Sequence, residues 1–134
     1  MVGPGGGHVI VELSGCKASL TDKEAIRRAL IVAAEEAGAT VVGTTFHQFA
    51  NGAVSGVVLL AESHVSIHTW PERFYAAVDV YTCGSISTQA ILNWIMRELK
   101  GSSYQTFVAR GIDRDELFTH RVDGTIFVKG THYD

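Results

Sequence analysis

The sequence predicts an α+β fold, with both helices on one face of a mainly antiparallel sheet. Three observations carry this. Strand-like runs follow one another at hairpin spacing through the middle of the chain, at 54–61, 64–70 and 74–82. Two helical segments with clear start and stop signals separate groups of strands. The chain of 134 residues is 46% apolar and 19% charged, which suits one packed domain over 1–134 and not a disordered chain.

The elements follow in order. His8 to Leu13 alternates loosely and reads as a first strand. Thr21-Asp22-Lys23-Glu24 has the form of a capping box, with Thr21 accepting from the amide of Glu24. Ile26, Leu30, Ala33 and Ala37 then share one helix face, and Gly38 is placed to end the helix in a left-handed conformation. Arg27, Arg28, Glu35 and Glu36 form its solvated side. Residues 39 to 48 read as a second strand, and Asn51-Gly52 as the turn into the apolar strand 54–61. Pro71 falls between the strands 64–70 and 74–82, where a turn is expected. A second helix is predicted from Ser87 to Lys100, with Leu92, Ile95, Met96 and Leu99 buried and Gly101 closing it. Strands at 104–109 and 125–129 follow, separated by the charged segment Asp113 to Arg121.

Composition removes several classes of function. A formal net charge of −3 argues against a broad nucleic-acid surface. No apolar run approaches the ~20 residues of a membrane span. Residues 1–7 lack the basic start and apolar stretch of a secretory signal, so the expected address is the cytoplasm. Gly3 to Gly7 lacks the ending of a phosphate loop and reads as a flexible leader. Cys16 and Cys83 are expected as free thiols, and neither forms a C-x-x-C pair. Read from composition alone, both are small buried residues.

The dense region is Ala61-Glu62-Ser63-His64-Val65-Ser66-Ile67-His68-Thr69-Trp70-Pro71-Glu72. Strand alternation puts Val65 and Ile67 on a core face and His64, Ser66, His68 and Trp70 on the other. Ser63 has core parity and His68 polar parity, so a site using both requires the chain to break its alternation near 62–64. A half-exposed strand with no site is the plain alternative. A metal site built on His64 and His68 with Glu62, Glu72 or Cys83 is disfavoured, because that spacing suits a helix and this segment reads as a strand. A Ser–His hydrolase lacks its elbow: Val54-Ser55-Gly56 has no first glycine.

Residues 54–72, continued by Tyr75-Ala76-Ala77-Val78-Asp79-Val80-Tyr81-Thr82-Cys83-Gly84, closely resemble the prokaryotic S-adenosylmethionine decarboxylase proenzymes. A looser likeness reaches back through His47-Gln48-Phe49 to the first strand, where Gly6-Gly7-His8 stands for the family's Gly-Arg-His. Residues 102 to 134 follow no pattern that can be placed in the family. The resemblance implies a two-layer protomer that cleaves itself between Glu62 and Ser63, into a β chain of 1–62 and an α chain of 63–134. Ser63 then becomes a pyruvoyl group, the cofactor that takes the substrate amine as a Schiff base and serves as an electron sink. By position His68 removes the Ser63 α-proton during processing, Ser55 supports that step, and Cys83 reprotonates the substrate carbon.

For substrate, Phe49 matches an aromatic stacked on adenine, Glu72 a carboxylate on the ribose hydroxyls, and Trp70 a wall of the site. Glu12 is a weaker candidate. The implied reaction is decarboxylation of S-adenosylmethionine for polyamine (spermidine) synthesis, with no metal, in a homo-oligomer of processed protomers whose active sites lie at or near the interface. Two alternatives stand beside it. A pyruvoyl-dependent arginine or ornithine decarboxylase would not need Phe49. An inactive regulatory homologue would not need Ser63, His68 and Cys83 together.

Overall fold

The computed structural model describes residues 7–83, 85–110, 117–121 and 126–128. The expected leader falls outside these residues except for Gly7, as do Gly84 and much of the charged segment Asp113 to Arg121. Among the described residues, eight strands form one sheet: β1 (Gly7–Ser14), β2 (Val41–Gln48), β3 (Val54–Leu60), β4 (Ser63–Trp70), β5 (Tyr75–Thr82), β6 (Ser103–Arg110), β7 (Leu117–Arg121) and β8 (Ile126–Val128). Their order is β2-β3-β4-β5-β1-β6-β7-β8, and each neighbouring pair is antiparallel. The helices α1 (Lys23–Glu36) and α2 (Thr88–Leu99) pack on each other and on one face of the sheet. The predicted two-layer α+β sandwich is therefore present. No helix among the described residues is long and apolar enough to cross a membrane.

The core lies between the two layers. Val9, Val11 and Leu13 alternate into it from β1, Val65 and Ile67 from β4, and Val78 and Val80 from β5. Ile26 and Leu30 of α1 and Ile91, Leu92 and Ile95 of α2 meet them. Each such side chain contributes about 1.5–3 kcal/mol by leaving water. Thr69 continues the core face of β4, and its buried hydroxyl donates to the Leu20 carbonyl and accepts from the Val54 amide at 3.0 and 2.9 Å. The first bond ties the end of β4 to the segment before α1, and the second ties it to the start of β3. Gly56 has no side chain because the Phe46 ring lies across it.

Some local expectations shift. Asp22, not Thr21, caps α1: its carboxylate accepts from the Ala25 amide at 3.0 Å. Aspartate is the better cap of the two, while the Thr21 hydroxyl pairs with Ser19 and Glu24 turns to Arg27. Gly38 takes its left-handed turn at φ 89°. Lys100, not Gly101, makes that turn after α2, at φ 54°. A side-chain carbon at Gly101 would make only ordinary contacts with the Ser14 carbonyl and Leu13, so no close approach demands glycine there. Ile91 is buried on α2, whereas Met96 is only partly so. Part of the charged segment, Leu117–Arg121, is a strand paired with β6. Cys16 is buried as expected, but Cys83 is exposed.

Candidate active site

The connection from β3 to β4 is Ala61-Glu62, and it is held firmly. The Ala61 amide donates to the Thr40 carbonyl, and the Thr40 amide donates to the Glu62 carboxylate, at 2.9 and 3.1 Å. The Glu62 carbonyl accepts from the Cys83 amide at 3.0 Å and from the Cys83 thiol at 3.2 Å. Two donors thus converge on one carbonyl oxygen, an arrangement suited to stabilising negative charge there. The next residue, Ser63, has φ 141°. A positive φ at a residue other than glycine costs about 1–3 kcal/mol and persists only where its surroundings impose it. The strain lies within residues 62–64, where a break in alternation is expected, yet it does not bring Ser63 to His68 within one chain.

On the sheet face away from the helices, His64 Nδ1 meets Ser63 Oγ at 3.3 Å, and His64 Nε2 meets Asp79 Oδ2 at 3.1 Å. The same carboxylate oxygen takes His8 Nε2 at 2.7 Å, and Ser66 donates to its other oxygen. Partial burial alone would raise the Asp79 carboxyl. The bonds from Ser66, His8 and His64 outweigh it and hold the group below the usual aspartate range.

A second cluster occupies the other end of β4. Ser55 and His68 are register partners, and Ser55 Oγ lies 2.8 Å from His68 Nδ1. The Phe49–Ala53 turn closes beside them through Phe49 N–H to Ala53 O at 2.8 Å, Gly52 at φ 93° and an Asn51 side-chain bond to the Ala53 amide. Phe49, Asn51, Ser55, His68, Thr69 and Trp70 line an open cleft of about 580 Å³, within the usual range for small-molecule pockets. Phe49 and Trp70 present 48% and 40% of their surface, so aromatic faces are available there. Glu72 is exposed on the short 3-10 turn Pro71–Arg73 and is not among the lining residues. Tyr75 bonds to Glu12, and burial together with that carboxylate raises its hydroxyl above the ordinary tyrosine range.

The predicted residues therefore form two groups. Glu62, Ser63 and Cys83 lie together at one end of β4; Phe49, Ser55, His68 and Trp70 lie at the other. Ser63 and His68 are five residues apart on a continuous strand, about 16 Å at strand rise. One chain does not bring them together. His64 and His68 are about 13 Å apart for the same reason, too far to ligate one ion. Two participants went unnoticed in the sequence, His8 and Asp79. A signal existed for Asp79, a lone carboxylate within the apolar strand Tyr75–Thr82.

Comparison with known proteins gives the family. The sequence profile described as S-adenosylmethionine decarboxylase matches residues 7–111, which reaches past residue 102 into β6. A protein of Pyrococcus abyssi named S-adenosylmethionine decarboxylase proenzyme is 40% identical over 121 residues, covering 87% of each chain. One of the same name from Caldicellulosiruptor saccharolyticus is 46% identical over 110 residues, covering 80% of this chain and 89% of its own. The crystal structure of the adenosylmethionine decarboxylase from Aquifex aeolicus superposes with a TM-score of 0.74 at 40% identity, over 81% of this chain and 92% of that one. With a family match across most of the chain, two relatives above 40% identity or at it, and a solved fold in common, this chain belongs to the S-adenosylmethionine decarboxylase family.

Proposed function

We propose that the chain cuts itself between Glu62 and Ser63, leaving residues 1–62 and 63–134, and that the cut protein decarboxylates S-adenosylmethionine. The observation that carries this reading is the Glu62 carbonyl, gripped by the Cys83 amide and thiol beside a serine in a strained conformation. Attack of Ser63 Oγ on that carbonyl converts the peptide to an ester. The two donors stabilise the oxyanion that forms. Loss of the Ser63 α-proton then expels the Glu62 carboxylate, and hydrolysis leaves a pyruvoyl group on the second chain with release of ammonia.

The residues present fit such a group at position 63. The serine supplies its atoms, and the exposed Cys83 thiol stands beside it as a proton donor for the substrate carbon. When formed, the pyruvoyl group supplies the electron sink for loss of carbon dioxide. Phe49 offers a face for adenine and Trp70 walls the cleft, while Glu72 on the adjoining turn is assigned to the ribose hydroxyls. The same reading puts the enzyme in the cytoplasm.

His68 is the assigned base for the α-proton, and Ser55 holds its ring. The 16 Å estimate between Ser63 and His68 is why this reading calls for two copies. A two-fold axis near the middle of β4 sets the Ser63 end of one copy against the His68 end of the other. The open sheet face supports this pairing, since Ile10 and Leu59 on it are 42% and 53% exposed. The test is intact mass under denaturing conditions, followed by carbon dioxide release from S-adenosylmethionine, arginine and ornithine. Two chains, the larger blocked at its start, and release from S-adenosylmethionine alone are expected. A persistent full-length chain without activity overturns the reading.

A further inference from the structure

We propose that His64, oriented by Asp79, is the base that takes the hydroxyl proton of Ser63 when that oxygen attacks Glu62. The inference rests on the self-cleavage reading and names the group that starts it. Three distances carry it: Ser63 Oγ to His64 Nδ1 at 3.3 Å, His64 Nε2 to Asp79 Oδ2 at 3.1 Å, and the Glu62 carbonyl to the Cys83 amide at 3.0 Å. Nucleophile, base, orienting carboxylate and oxyanion donors are thus in one chain, in the mutual arrangement that acyl transfer needs.

The tautomer follows from the partners. A carboxylate can only accept, so His64 donates from Nε2 to Asp79. Its Nδ1 then carries a lone pair toward the Ser63 hydroxyl. Asp79 is itself held by Ser66 and His8, so its orientation does not depend on His64 alone. Ordinary alternation would place Ser63 and His64 on opposite faces of β4; the positive φ of Ser63 accompanies their contact. His68 cannot take this role within the chain, because it lies at the far end of the strand.

The step balances without any added reagent. His64 Nδ1 accepts the hydroxyl proton as the Oγ–C bond to Glu62 forms, and the oxyanion rests on the Cys83 amide and thiol. The imidazolium returns the proton to the Ser63 nitrogen as the C–N bond breaks. An ester and a free amine result. Loss of the α-proton is a later and separate event, assigned to His68.

The experiment follows chain splitting after cell-free synthesis, read by denaturing electrophoresis and intact mass, for wild type, His64→Gln and His68→Ala. A general base contributes about 10²–10⁴-fold, so His64→Gln should split at least about a hundredfold more slowly. No hydroxylamine-cleavable ester should accumulate in it, because its block precedes the ester; His68→Ala should accumulate one. Asp79, a positioning residue, is tested by nitrogen NMR on the uncut Ser63→Ala chain. His64 should show the Nε2–H form there, and Asp79→Asn should disturb it. The spectroscopic arm leaves His64 unchanged, so it decides even if His64→Gln fails to fold. Splitting of His64→Gln at the wild-type rate, ester accumulation in that variant, or the Nδ1–H form in the uncut chain overturns the assignment. Failure of the wild type to split would instead overturn the self-cleavage reading beneath it.

Discussion

Replacing Thr69 by valine should destabilise the protein more than replacing it by serine, although valine keeps the shape. Thr69 is 3% exposed, and its hydroxyl is the acceptor for the Val54 amide and the donor to the Leu20 carbonyl. Valine leaves both backbone groups unpaired in a dry site. Each such group costs about 1–3 kcal/mol, and a carbonyl tolerates the loss better than an amide, so the sum is roughly 2–4 kcal/mol. Serine keeps the hydroxyl and removes one methyl, worth about 1 kcal/mol. Domains of this kind are stable by only about 5–15 kcal/mol, so the difference is readily measured. The assay is urea unfolding on a Ser63→Ala background, which keeps the chain whole, at one fixed protein concentration. Because Val54 precedes Ser55 and Thr69 follows His68, the valine variant should also loosen the Ser55–His68 pair. A valine variant as stable as the serine variant would show that these two bonds do not hold the end of β4.

Three further outcomes are expected. Phe49→Ala should raise KM for S-adenosylmethionine about tenfold with little change in kcat, since stacking of a base on an aromatic is worth about 1–3 kcal/mol; steady-state kinetics check it. Alkylation of the folded chain should label Cys83, which is exposed, and spare Cys16, whose thiol burial pushes up; peptide mass mapping reads the sites. Asp79 is depressed in the folded state, so its contribution is present above the unfolded carboxyl range and lost as pH falls through the folded one. On the Ser63→Ala background, the urea midpoint with Asp79 present should therefore drop further between pH 6 and pH 3 (about the carboxyl range) than with Asp79→Asn.

Local features were legible where neighbouring residues decide them. The faces of both helices, the three middle strands and the polar face of β4 follow from spacing alone, and Ser55, His68 and Phe49 do share a cleft. Features decided at long range were not. His8 reaches Asp79 because β1 sits beside β5 in the middle of the sheet, a pairing across 71 positions that no local pattern announces. The strand Leu117–Arg121 was hidden by its charged surroundings, and Lys100 makes a turn ordinarily left to glycine. Likeness to a family put Ser63 beside His68 without saying which copy of the chain supplies each. Only strand length separates them.

The sheet order has one more consequence for a chain cut after Glu62. The first piece would carry β1, β2 and β3, and the second would carry β4 to β8. Yet β1 lies between β5 and β6, and β3 is paired with β4. The two pieces are therefore interleaved like the fingers of clasped hands, and neither contains a sheet that is whole without the other. After a cut there, the pieces stay joined through the β3–β4, β1–β5 and β1–β6 ladders. The cut trades a covalent link for ladders already in place, so a protein can surrender a peptide bond at its centre and keep its architecture.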